Sequence, residues 1–178
     1  MKRFLKAISV LSITLMFVLT LASCNQNKFY KEWSKAGAAI EEENIFEYIE
    51  LDEVASKITN RDTFVVVYAS SENTNAVNVI SSLQAQYDYL CTKGEERTVY
   101  VVDSTDIDKS SERTNAKEKL GLTKAVNSTG EPIVITYIDG QIDVESNYED
   151  KNQTKEFILN GSFEYSSFAS YIFKELLA

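Results

Sequence analysis

Apolar positions along this chain change their period several times, and each change marks an element. Residues 7–21 are apolar except for Ser9, Ser12, Thr14 and Thr20, and the run follows Lys2, Arg3 and Lys6. Its length is marginal for a spanning helix. The polar stretch Asn25 to Lys35 reads as a tether, a mobile spacer whose Phe29, Tyr30 and Trp33 alternatively dock on the domain or on lipid headgroups. Ile45 to Leu51 mixes aromatic and β-branched residues in near alternation, which predicts a strand. Asp52 then caps a short helix reaching Thr59, with Val54, Ala55 and Ile58 at helical spacing. Thr63 to Tyr68 is a continuous β-branched run, the pattern of a strand buried on both faces, and becomes the centre of the sheet.

From Ala76 onward, Val79, Ile80, Leu83, Tyr87 and Leu90 recur at intervals of three and four, so one long helix follows and ends near Gly94. Thr98 to Val102 is a second buried strand, and two strands joined by a helix-long connection pair in parallel. Ala116 to Leu120 predicts a short helix after an acidic, Ser-rich loop. Ile133 to Ile138, Asp139-Gly140 and Gln141-Ile142 form a strand, a tight turn and the start of an antiparallel partner. Val144 to Gly161 reads as an insertion with weak pattern. A terminal helix carries Tyr165, Phe168, Ile172 and Leu176 on one stripe.

The positive start, the apolar run and the small residues closing it have the order of an export signal. Leu21-Ala22-Ser23-Cys24 resembles the lipobox of bacterial lipoproteins, which implies cleavage behind Ser23 and a diacylglyceryl group on Cys24. The domains expected are therefore 1–23, the lipoprotein signal peptide; 24–43, the lipidated cysteine and tether; and 44–178, the folded domain. The expected location is the cell membrane, lipid-anchored on its extracytoplasmic face. An ordinary secretory peptide or a membrane anchor with an incidental cysteine is the alternative.

Removing residues 1–23 takes away three positive and no negative charges, so the formal charge moves from −9 to −12. An acidic surface gains nothing from displacing counterions on a phosphate backbone, so nucleic acid is excluded as a partner, and the membrane contact expected is the lipid on Cys24 alone. The absence of histidine excludes Ser-His-Asp triads and His-ligated metal sites. With Cys24 acylated, Cys91 is the sole thiol and no intramolecular disulfide can form. Asp103, Asp106 and Asp108 start like a calcium loop, but the Gly and bidentate Glu that such a loop needs do not follow, so they read as a solvated loop. No metal and no cofactor is expected.

The element order, βαβ followed by a short helix, a β-hairpin and a terminal helix, resembles the thioredoxin family over about Ile45 to Ala178. Phe64 to Ser71 is similar to the central strand running into that family's active-site loop, and Pro132 with Gly140 is similar to its cis-proline and hairpin glycine. The alternative for Pro132, the only proline, is a trans residue opening an edge strand. The resemblance implies an α/β fold, a thioredoxin-like three-layer sandwich with a central mixed sheet flanked by helices. It also implies that Glu72-Asn73-Thr74-Asn75 occupies the Cys-x-x-Cys positions and Val66 the place of a buried acid, so dithiol chemistry is absent.

The tether and the acidic insertions further resemble bacteriocin transport accessory proteins. The expected role is therefore a redox-inactive module that binds an unidentified envelope protein or peptide. Its groove comprises Ser70, Ser71, Glu72, Asn73, Thr74, Asn75, Glu131 and Pro132, with Asn127 to Gly130 leading into it, and one of Asn73, Thr74 and Asn75 caps the following helix. Two rivals stand: a thiol-dependent oxidoreductase acting through Cys91 or a partner's thiol, and a structural or solute-binding envelope lipoprotein. Cys91 lies near a helix C-terminus, which disfavours a thiolate.

Cys24→Ala is expected to move the protein from the membrane fraction to soluble or uncleaved forms on fractionation. An unchanged, detergent-requiring mature band contradicts the lipid anchor.

Overall fold

The computed structural model describes residues 27–90, 97–106, 108–122, 126 and 131–142. The expected export segment with Cys24, Cys91 and the helix end expected near Gly94, the 127–130 stretch, the expected insertion and the expected terminal helix lie outside these described residues. The elements are a helix α1 over 27–36, β1 (Phe46–Tyr48), α2 (Leu51–Thr59), β2 (Phe64–Ala69), α3 (Thr74–Leu90), β3 (Val99–Asp103), α4 (Ser110–Lys119), β4 (Ile133–Ile138) and β5 (Gln141–Ile142).

Among the described residues, five strands form one sheet in the order β1-β3-β2-β4-β5. β3 runs parallel to both β1 and β2, whereas β4 is antiparallel to β2 and to β5. All six residues of β2 are buried, and period-two alternation divides them between two cores. Val65, Val67 and Ala69 pack with Val99, Val101 and the α3 residues Val79, Ile80 and Leu83, and Phe29 and Trp33 of α1 complete that core. Phe64, Val66 and Tyr68 pack with Ile133, Ile135 and Tyr137, beneath Val54 of α2 and Ala116 of α4. Helices therefore cover both faces of the mixed sheet, giving a thioredoxin-like three-layer sandwich. Among the described residues, no helix is long and apolar enough to cross a membrane.

The strands β2 to β5 and the long helix, described as far as Leu90, stand within two residues of where the apolar pattern put them, and β1 lies inside its expected range but ends at Tyr48. Asp139 at φ 52° and Gly140 at φ 71° form the expected tight turn. Gly140 is required twice over, because a Cβ there would also overlap the Ile58 carbonyl oxygen of α2.

Three expectations change. The helix α2 starts from Glu50 rather than Asp52: Glu53 Oε2 accepts from the Glu50 amide at 3.3 Å, the return arm of a capping box. Asp52 instead lies within the first turn. The helix α4 begins at Ser110, six residues before Ala116; it has one buried residue, so no apolar stripe announced its first turns. The largest change concerns the tether. Phe29 and Trp33 are 0% and 1% exposed, and α1 is part of the domain.

Its docking has a clear physical basis. Phe29 stacks between Trp33 and Phe46, with centroids 5.3 and 5.1 Å away, and meets the Tyr48 ring edge-on at 5.1 Å. The indole Nε1 donates to Tyr48 Oη at 2.9 Å, so its polar atom is satisfied as the ring is buried. The following segment is held as well. The Ala39 amide donates to Ser81 Oγ at 2.9 Å and the Ile45 amide to Gln84 Oε1 at 3.3 Å. Residues 27–43 thus belong with the sheet rather than to a spacer.

Phe29→Ala is expected to cost about 3–5 kcal/mol, the usual range for truncating a buried aromatic residue. Urea unfolding followed by the fluorescence of Trp33, the only tryptophan, measures it directly. A loss under about 1 kcal/mol contradicts the docked helix.

Candidate functional site

The strand β2 delivers its carboxyl end to the loop 70–73, and α3 begins at once. Tyr68 pairs with Ile133 across the antiparallel ladder and Ala69 with Asp103 across the parallel one. Three connections therefore meet at this end of the sheet: the β2–α3 loop, the β3–α4 loop and the approach to β4. A fourth element joins them, because α1 lies on the same side as α3.

Local chemistry fixes the loop. Asn73 Oδ1 accepts from the amides of Asn75 at 2.8 Å and Ala76 at 3.2 Å, so Asn73 is the cap of α3. Asn75 does something else. Its Nδ2 donates to Glu131 Oε2 at 3.0 Å, which ties the loop to the residue ahead of β4. The hydroxyls of Ser70 and Thr105 are 3.1 Å apart, and Ser70 Oγ also accepts the Glu72 amide at 3.2 Å. Asp103 Oδ1 in turn accepts from the Thr105 amide at 2.9 Å and its hydroxyl at 2.6 Å. Ser71 Oγ donates to Glu32 Oε1 on α1 at 2.9 Å.

The structure thus brings Ser70, Ser71, Asn73, Asn75 and Glu131 into one hydrogen-bonded neighbourhood. Ser70 and Pro132 are buried, whereas Glu72 and Thr74 are exposed and Ser71, Asn75 and Glu131 are half-buried. The accessible polar side chains at this junction therefore come from the loop and from Glu131. No peptide bond is cis among the described residues, so the 131–132 bond is trans. The cis-proline implied by the family resemblance is not present. The trans alternative holds, with the proline opening β4.

Val66 is fully buried in the core beside Ile135 and Tyr137. A carboxylate there would meet apolar neighbours alone, at a heavy desolvation cost. Glu32 and Thr105 are the residues missed by sequence reasoning, and Asp103, expected only in a solvated loop, joins them by holding Thr105. Glu32 was hidden by the tether reading of its segment, although Phe29 and Trp33, four residues apart, carried the signal of a buried helix face.

The same end of the sheet is acidic. A cavity of about 310 Å³ opens beside it, with Tyr48, Glu50, Asp52, Asp103, Glu112 and Asn115 among its walls. Two phenols report the field. Burial, followed by the charges of Glu112 and Asp103, pushes Tyr68 up to about 12. Tyr48 is driven higher still, by burial first, with Glu32 and Asp103 adding to it. Among the described residues, no group of three or more His, Cys, Asp or Glu side chains is placed to hold a metal ion. Asp106 is instead paired with Lys109 at 2.7 Å.

No protein-family model matches the chain, and no curated protein matches it either. Its resemblances therefore rest on the residues and the architecture above.

Two outcomes follow from this geometry. Asn73→Ala is expected to lower stability by about 1 kcal/mol through the lost cap, while Asn75→Ala leaves the cap intact and loosens Glu131; denaturation of both variants with amide exchange at residues 131–133 separates the effects. Burial also raises Tyr137. The neutral phenols of Tyr48, Tyr68 and Tyr137 are thus kept in the folded state, whereas the unfolded chain ionises near pH 10. Their contribution to stability is complete below that pH and falls as pH rises through it toward the shifted values. Absorbance titration at alkaline pH is expected to show these phenolates only as the protein unfolds, and their reversible ionisation near pH 10 in the folded protein contradicts the assignment.

Proposed function

We propose that this chain is a lipid-anchored, extracytoplasmic thioredoxin-like module without dithiol chemistry, and that it binds an extended protein or peptide segment where the 70–75 loop meets residues 131–132. The observation that most supports this is the hydrogen bond between Asn75 and Glu131. It joins the two sides of the groove through amide and carboxylate, with Asn75 at a position that carries cysteine in redox members of the family it resembles. Fold by itself decides no function. What supports binding over catalysis here is that Ser71 is bonded to the Glu32 side chain, Asn73 to the backbone, and Asn75 and Glu131 to each other, so they act as a fixed rim rather than as nucleophiles.

The partner suited to this rim carries basic side chains. Glu32, Glu72, Asp103 and Glu131 border the loop, and the acid-lined cavity continues the same potential past Asp103. Opposite charge across such an interface raises association rates and selects partners. A second reading, binding of a small cationic solute, rests on that cavity, whose volume reaches the lower end of small-molecule sites.

A photoreactive residue in place of the exposed Thr74 is expected to capture an envelope protein or peptide from intact cells, whereas the same residue at exposed Thr59 does not. Capture is expected to weaken as ionic strength rises. Equal capture from both positions defeats the groove. Disulfide reduction of insulin by the mature protein is expected to be absent, and turnover that disappears in Cys91→Ser would replace this reading with the thiol enzyme.

A further inference from the structure

The exposed face of α1 carries a charge pattern that the acidic composition conceals. At 100° per residue, Lys28, Lys31 and Lys35 fall within about 60° of one another around the helix, and the stripe lies about 145° from the direction of Phe29 and Trp33. All three lysines are exposed while the two aromatic residues are buried. Packing has therefore fixed the helix so that its basic stripe faces outward. Among the described residues no ion pair engages these lysines, and Lys28 Nζ lies 5.3 Å from the centroid of the Tyr48 ring. Lys28 also borders the acid-lined cavity, so Lys31 and Lys35 supply most of the stripe's outward potential.

Chain length sets where this stripe can go. Three peptide steps separate Cys24 from Asn27, where the helix starts, and three extended residues span at most about 10 Å. With residues 27–43 part of the domain, an acylated Cys24 would hold the start of α1 within about one Debye length of the headgroups, and the helix, about 15 Å long, brings Lys31 and Lys35 into the same zone when it lies along the surface, where lysine charges are only partly screened.

We propose that the Lys28-Lys31-Lys35 face of α1 docks on an anionic bilayer surface and so fixes the orientation of the domain on its membrane. The proposal rests on the lipid anchor of the preceding subsection. It replaces the expectation that the acyl group alone touches the membrane. Net charge describes the whole surface, whereas adsorption depends on the charges nearest the bilayer, and the outward face of α1 presents three lysines to it. A lipid chain combined with a basic patch is also a far firmer attachment than either alone. Glu32, on the flank of the helix, is turned to Ser71, so docking by the lysines and closure of the loop use different sides of α1.

The test uses the mature protein extracted from membranes and reconstituted in two kinds of vesicle, phosphatidylcholine alone and phosphatidylcholine with a large fraction of phosphatidylglycerol. Lysine acylation by a water-soluble reagent is followed by mass spectrometry, with exposed Lys109 on the β3–α4 side as the internal reference. On anionic vesicles at low salt, modification of Lys31 and Lys35 relative to Lys109 is expected to slow by on the order of five-fold. High salt or neutral vesicles restore it. In the double variant Lys31→Glu, Lys35→Glu, the protection of Lys28 is expected to be lost while Trp33 fluorescence stays that of the folded domain.

Equal relative rates on both vesicles, with an intact mass showing acyl groups on Cys24, overturn the docking and leave the anchor standing. A mature mass without acyl groups overturns the anchor and the docking together, since three lysines are too few to hold a protein on a bilayer unaided.

Discussion

A strand buried on both faces must satisfy its backbone through its neighbours and its side chains through two separate cores, and β2 imposes that demand on everything around it. Its amides and carbonyls are taken up by β3 on one side and β4 on the other. Its alternating side chains then require a cover on each face, and neither face is closed by the sheet itself. On one side α2 and α4 provide it. On the other α3 covers part of the face, and the aromatic residues of α1 complete it around Phe46. The N-terminal helix is therefore a consequence of the central strand rather than an appendage to it.

The loop that follows β2 inherits its position from the same strand. It is then pinned by neighbours drawn from every adjoining element: Glu32 from α1, Thr105 from the β3–α4 loop and Glu131 from the approach to β4. This is a different use of the fold from one in which the loop carries a reactive pair of thiols. Neutral and acidic hydrogen-bonding groups hold their shape without needing a poised pKa, and an apolar Val66 removes the desolvation cost of a buried acid. The arrangement favours a surface of fixed shape and negative charge.

Legibility in the sequence followed how local the deciding interaction was. β2, β3 and β4 announce themselves through runs of β-branched residues, and Asp139-Gly140 through a turn chemistry that few other pairs tolerate. The long helix was equally clear from its spacing. Much of the candidate loop was readable too, because Asn73 is a local cap. What failed was decided at long range. α1 has two buried aromatic residues in an otherwise polar stretch, and their burial depends on Phe46 and Tyr48, more than ten residues away. α4 is mostly exposed, so periodicity could not find its start. The isomer of the 131–132 bond has no local determinant, and the separate role of Asn75 is invisible locally because its partner Glu131 lies on another element.

Native-state amide exchange of the protein tests most directly whether α1 is built into the domain. The buried aromatic contacts and the Ser71–Glu32 hydrogen bond require the amides of residues 31–36 to exchange with those of β2, through global unfolding and with the same dependence on denaturant. Exchange of 31–36 within seconds, while residues 64–69 remain protected, would show a detached helix and contradict the account.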